Sequence, residues 1–108
     1  MTEIRIYKLL SGEEIIGYFK SATDRYVLLS KAHVIVPQQN EQGKIVILFA
    51  PWLIASIGGY DGDTELYWNA ISGRQVKIPE QMERAFMEQT SGIKQPTAQE
   101  KSLILSGR

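Results

Sequence analysis

The chain has 108 residues, of which 44% are hydrophobic and 22% charged, and its twelve basic side chains balance twelve acidic ones. This length and composition predict one globular domain and exclude a disordered chain. With no cysteine and a single histidine, the chain has no disulfide, no thiolate nucleophile and no multi-histidine metal centre of its own. We therefore expect no enzymatic activity, no metal and no cofactor.

The chain has a formal charge of zero, whereas proteins that bind nucleic acid or membrane surfaces are usually strongly basic. A locally basic face is still compatible with this total charge. The longest apolar run, Ile45 to Ile57, is interrupted by Pro51 and is too short for a spanning helix of about 18 residues or more. Residues 1–8 do not resemble a targeting signal. We expect a cytoplasmic protein that does not interact with membranes.

Alternation of apolar and polar residues predicts the first strands. The isoleucines of the segment from Glu3 to Leu9 share one face, and most of its charges lie on the other. The residues from Ser11 to Glu13 predict a turn centred on a glycine. The next strand, around Ile15 to Phe19, is apolar on both faces and is expected to be central in the sheet.

Further strands are predicted from Tyr26 to Val36, where Pro37 should end the pairing, and from Lys44 to Phe49. Two short strands follow, at Glu65 to Ile71 and Arg74 to Ile78, with their turn at Ser72 and Gly73. This arrangement predicts a mainly β domain.

One helix is predicted at about residues 79–91, because Pro79 suits a first turn and apolar residues recur at helical spacing. Met82, Ala85 and Phe86 form its expected core face. Residues 94–108 form a polar tail in which Leu103 to Leu105 is a short apolar island. The predicted organisation is therefore a domain at residues 1–93 followed by the tail at 94–108.

Two segments resemble the motifs of the Sm-like (LSm) family. LLSGEEIIGYF at Leu9 to Phe19, followed by DRYVLL at Asp24 to Leu29, is similar to the family's first motif. ISGRQVKI at Ile71 to Ile78 is similar to its second motif. With Pro51-Trp52 and a helix after the strands, the pattern most resembles small phage-encoded, cyanophage-type Sm-like proteins, for which the location would be the cytoplasm of the host cell.

The resemblance implies a small, strongly bent, five-stranded antiparallel barrel with one C-terminal helix. It also implies a homo-oligomeric ring, in which neighbouring subunits cover the open edges of the sheet. The implied activity is binding of single-stranded RNA on the loop face of the ring. The alternative is a protein-interaction or structural module that recruits a protein partner and does not bind RNA.

The resemblance places the RNA-binding residues on two loops, at Asp24, Arg25 and Tyr26 and at Gly73 and Arg74. There an aromatic ring can stack on a base and guanidinium groups can hold phosphate. The family's RNA-binding asparagine has no counterpart after Asp24, and serine replaces the arginine of the second motif. In the structural alternative, Tyr26 begins a strand and packs on the sheet while both arginines are solvated.

A second candidate cluster is formed by the carboxylates of Asp61, Asp63 and Glu65, whose alternating positions resemble part of a calcium loop. No glutamate completes the twelve-residue pattern that such a loop needs, which favours a solvated acidic turn and no metal.

Overall fold

The computed structural model describes residues 3–52 and 62–91. It contains six strands, a 3-10 turn at Trp68–Ala70, and a helix, α1, at Glu80–Thr90. The strands are β1 (Glu3–Leu9), β2 (Glu14–Ala22), β3 (Tyr26–Gln39), β4 (Ile45–Pro51), β5 (Asp63–Tyr67) and β6 (Ile71–Gln75). The predicted mainly β fold, with an antiparallel sheet and a helix after the strands, is confirmed. Within the described residues the sheet has six strands, the number predicted from the residue pattern, whereas the Sm-like resemblance implied five.

The strands pair in the order β4-β3-β2-β1-β6, and β5 pairs with β3. The first hairpin has the predicted turn, in which Gly12 has a φ of 98° and its N–H donates to the carbonyl of Leu9 at 2.9 Å. A positive φ of this kind suits glycine, which has no Cβ. β2 lies between β1 and β3, as its apolar residues on both faces predicted.

The chain divides into two compact units. The first comprises, of the described residues, 3–35, 50–52 and 62–78. Its core is built from side chains of β1, β2, β3 and β5. The buried members are Tyr7, Leu9, Ile15, Val27, Leu29, Ala32 and Leu66, and the partly buried Phe19, Val34, Trp52 and Ile71 pack against them. Because Ile4 and Ile6 are buried as well, both faces of β1 are covered.

A β-bulge interrupts the alternation of β3. Lys31 and Ala32 together lie opposite Gly17 of β2, since the register of the pairing shifts there by one residue. Lys31 has a φ of 54°, in the left-handed region that residues with a Cβ uncommonly adopt. The shift allows Leu29 before the bulge and Val34 after it to pack in the same core.

The corner between the last two strands differs from the prediction. The chain turns at Trp68–Ala70, and Ser72 and Gly73 lie within β6. The predicted strands at Glu65 to Ile71 and Arg74 to Ile78 are therefore wrong in their boundaries. Ser72 is an extra residue in the pairing of β6 with β1, which places a small bulge where the turn was expected.

The second unit comprises residues 36–49 and 79–91 of the described chain. Here β3 continues through Pro37 to Gln39, beyond its predicted end. α1 starts after Pro79, as predicted, and Phe86 on its core face is completely buried. The ring of Phe86 contacts Phe49 edge-on at 5.4 Å between centroids. Gln89 Nε2 also donates to the carbonyl of Phe49 at 2.9 Å, so α1 is held to β4 by packing and by a hydrogen bond.

Several predictions fall outside the described residues. These are Asp61 of the acidic cluster, the end of the apolar run after Trp52, and the polar tail with its apolar island. Asp63 and Glu65 lie on β5, where both are exposed.

Candidate nucleic-acid interface

A surface cavity of about 340 Å³ lies in the first unit, where β1 and β6 meet the 3-10 turn. We call it the Arg5–Arg74 cavity. Its lining residues are Arg5, Tyr7, Trp68, Ile71, Ser72, Gly73 and Arg74. Of the predicted site residues, Gly73 and Arg74 line it. Arg5, Tyr7 and Trp68 were not predicted as site residues.

Strand pairing brings the arginines of the cavity together. Arg5 and Tyr7 share one face of β1 because they are two residues apart. Arg74 pairs directly with Tyr7 across the β1–β6 ladder, and Gly73 pairs with Lys8. Antiparallel partners lie on the same face, so the guanidinium groups of Arg5 and Arg74 are held on one side of the sheet.

Arg5 is the more enclosed of the two arginines, with 19% of its side chain exposed. Its guanidinium carbon lies 3.6 Å from the centroid of the Phe19 ring, in a cation–π contact. Its Nη1 donates to the hydroxyl of Tyr7 at 3.0 Å. These contacts hold the Arg5 side chain in a fixed position at the cavity.

Glu3 is the acidic partner of both arginines. Its Oε2 lies 2.7 Å from Arg5 Nε and 3.2 Å from Arg74 Nη2. The hydrogen bond from Arg5, reinforced by the positive charges of Arg5 and Arg74, holds the pKa of Glu3 below its ordinary value. Near neutral pH the three side chains carry two positive charges and one negative charge.

Trp68 connects the cavity to the turn between β2 and β3. Its indole N–H donates to the carbonyl of Thr23 at 2.7 Å, and its backbone N–H donates to the carbonyl of Arg25 at 3.0 Å. Its ring meets that of Tyr7 edge-on at 6.1 Å and remains 36% exposed. The two predicted loops are thus linked through a residue that lines the cavity.

The β2–β3 turn is shaped by Thr23. The hydroxyl of Thr23 accepts hydrogen bonds from the backbone N–H groups of Arg25 and Tyr26, both at 3.1 Å. Asp24 and Arg25 therefore lie at the exposed tip of the turn. The hydrogen bonds of Thr23 thus hold the backbone of the turn from which the side chains of Asp24 and Arg25 project.

Tyr26 begins β3 and is half-buried, as the structural alternative predicted for this residue. Its ring packs against that of Tyr67 on β5, with 5.5 Å between centroids. The hydroxyl of Tyr67 donates to Glu65 at 2.9 Å, and this hydrogen bond raises the pKa of Tyr67. Tyr26 and Tyr67 are paired across β3 and β5, on the face opposite to that of the buried pair Val27 and Leu66.

In the described parts of the chain, no cluster of three histidine, aspartate or glutamate side chains could hold a metal ion. Nor does any helix there have both the length and the apolar character needed to cross a membrane.

No protein-family model matches this sequence, and a search of curated proteins yields no match either. The similarity to Sm-like proteins therefore stays a prediction that rests on the two sequence motifs.

Proposed function

We propose that this chain is an Sm-like protein that binds single-stranded RNA through the Arg5–Arg74 cavity and the adjoining β2–β3 turn. The observation that carries the proposal is the position of Trp68. It lines the cavity beside Arg74 and is hydrogen-bonded to the turn that carries Arg25. The β2–β3 turn and strand β6, which are far apart in sequence, thus contribute to one surface.

The chemistry of this surface suits a single strand. Exposed aromatic rings stack on bases whatever their sequence, and guanidinium groups pair with the phosphates between them. Trp68 supplies a partly exposed ring, and Arg5 and Arg74 supply positive charge at the cavity, with Arg25 at the adjoining turn. Glu3 and Asp24 lie beside these arginines, so the surplus of positive charge on this surface is small.

We further propose that the chain forms a homo-oligomer. Within the described part of the chain, β5 pairs with β3 alone and β6 with β1 alone, which leaves the second edge of each strand for a partner. Val76, which follows β6 directly, is 86% exposed. Natural proteins cover such edges, and pairing between copies of one chain does so.

Light scattering coupled to size-exclusion chromatography is expected to report a closed oligomer at micromolar concentration. Val76→Asp should shift this oligomer toward smaller species, because it places a charge beside the edge of β6. Met87→Asp on α1 is the matched control, since it changes another exposed apolar side chain. A wild-type monomer, or dissociation caused only by Met87→Asp, would contradict association through β6.

Fluorescence anisotropy with labelled U-rich and A-rich single strands tests the RNA proposal. We expect micromolar affinity, weak base preference, and a fall with salt of about 0.7 in log K per log unit for each phosphate contacted. Arg74→Ala should mainly reduce the salt slope, by about one phosphate contact.

Arg84→Ala is the matched control for Arg74→Ala. Arg84 also pairs with a surface glutamate, Glu80, at 2.7 Å, but it lies on α1. Its loss should leave affinity and salt slope unchanged. Absence of any anisotropy signal at tens of micromolar protein and low salt would contradict RNA binding and favour the protein-interaction module.

A further inference from the structure

The two arginines of the Arg5–Arg74 cavity already bind an anion, the carboxylate of Glu3, which is not itself among the residues that line the cavity. Glu3 is exposed over half of its side chain, yet its Oε2 contacts both guanidinium groups. A carboxylate between two arginines occupies the position that a bound phosphate would take. An RNA phosphate that engages both arginines must therefore displace Glu3.

The charge of the incoming phosphate decides how favourable this displacement is. A phosphodiester inside an RNA strand carries one negative charge, as does the carboxylate it would replace. A terminal phosphate monoester carries about 1.5 to 2 negative charges near pH 7 and three acceptor oxygens. Only the monoester brings more negative charge to the two arginines than Glu3 provides.

On this basis we propose that the Arg5–Arg74 cavity binds the terminal phosphate monoester of a nucleotide, which takes the place of Glu3 between Arg5 and Arg74. This inference rests on the proposed RNA-binding function and assigns it a preferred ligand, a phosphorylated strand end. A free nucleoside monophosphate presents the same chemistry.

The size and the walls of the cavity favour a single nucleotide. Its volume of about 340 Å³ lies near the lower limit of ligand pockets, which span roughly 300 to 1,000 Å³. Trp68 and Ile71 provide apolar surface for a base, and Ser72, whose hydroxyl donates to the carbonyl of Lys8 at 3.2 Å, also lines the cavity. Gly73 has open space where a Cβ would stand, so the backbone there does not obstruct a ligand.

The preference for a terminal phosphate is expected to depend on pH. The charged and titratable groups at the site are Glu3, Arg5 and Tyr7 on β1 and Arg74 on β6. The lowered pKa of Glu3 keeps its carboxyl ionised at pH 5.5. The monoester itself has its second pKa at about 6, so most of its extra charge is lost between about pH 7.5 and 5.5.

The test compares internally labelled RNAs of one sequence with a 5′-phosphate, a 3′-phosphate or two hydroxyl ends. We expect one phosphorylated form to bind about fivefold tighter at pH 7.5, the upper range for an exposed ion pair, and the preference to shrink to about twofold at pH 5.5. Unlabelled nucleoside monophosphate should compete with the bound RNA, whereas the nucleoside should not.

Glu3→Gln tests whether the phosphate displaces the carboxylate of Glu3 from the two arginines. It removes the competing charge, so hydroxyl-ended RNA should bind more tightly and the preference for the phosphorylated end should shrink. Glu80→Gln, which changes the glutamate paired with Arg84, is the matched control and should alter neither affinity.

Equal binding of phosphorylated and hydroxyl-ended RNA would overturn this inference and leave the RNA-binding proposal standing. Calorimetry could instead detect binding of free nucleoside monophosphate while no RNA binds. That result would support the cavity as a site for a phosphate monoester and would contradict the proposal that the monoester belongs to an RNA end. Failure of both ligands to bind would overturn both proposals.

Discussion

Replacing Phe86 by alanine should lower the free energy of unfolding by about 3 to 5 kcal/mol, the range seen for buried aromatic side chains. Phe86 is completely buried, and its ring packs edge-on against Phe49 at 5.4 Å. Truncation removes this contact and leaves a cavity that the backbone of α1 and β4 cannot fully close. Urea denaturation followed by circular dichroism measures the change.

Met87→Ala is the control for this prediction, because its side chain is the next in α1 and is 43% exposed. We expect it to change stability by no more than about 0.5 kcal/mol, as is usual for surface positions. A loss of that small size for Phe86→Ala would show that the side chain contributes little to the core, and α1 would then be a candidate surface for a protein partner.

Trp68→Ala is expected to reduce RNA affinity about 5- to 150-fold, since loss of base stacking costs about 1 to 3 kcal/mol per base. The change also removes the indole hydrogen bond to the carbonyl of Thr23 and so releases the turn that carries Arg25. Stacking and positioning are thus lost together. Anisotropy titration with the U-rich single strand measures the effect.

Trp68→Phe separates these two contributions. It keeps an aromatic face at the cavity and loses only the indole N–H, so its affinity should lie between those of wild type and Trp68→Ala. Urea denaturation of each variant establishes that the compared proteins are folded. A folded Trp68→Ala protein with wild-type affinity would contradict the placement of RNA on this surface.

Much of the fold was predictable because the pattern that indicates each element lies within a few residues. The alternation in β1, the glycine turn after it and the helical spacing around Phe86 each have a single favourable structure. The prediction that β3 ends before Pro37 was wrong, because β3 continues to Gln39. Proline lacks only its own N–H donor, so a strand can pass through it where that donor is not needed for pairing.

The corner before β6 was misplaced for a related reason. Gly73 was taken as the turn residue, yet it lies in the strand, and the chain reverses at Trp68–Ala70. That segment contains none of the glycine or proline residues on which turn prediction relies most.

The candidate site was predicted only in part. Asp24, Arg25, Tyr26, Gly73 and Arg74 came from the resemblance to Sm-like motifs. Of these, Gly73 and Arg74 line the cavity, and Trp68 connects it to the turn that carries Asp24 and Arg25. Arg5 and Tyr7 were missed because a strand of alternating residues does not reveal which strand will pair beside it. Their spacing of two residues was the available signal, since it placed an arginine and a tyrosine on one face of β1.

The bulge at Lys31 also determines where this chain can gain or lose a residue. Leu29 and Val34 are five residues apart, so a regular strand would place them on opposite faces. Both pack in one core because Lys31 is an additional residue between them. Deleting Lys31 would leave regular alternation from Leu29 through Ala32 to Val34 with every side chain on its present face. Deleting Leu28 instead would turn the side chains on one side of the deletion to the opposite face, exchanging core for solvent along half a strand. Length changes in homologous sequences are therefore expected to be tolerated at position 31 and excluded a few residues before it.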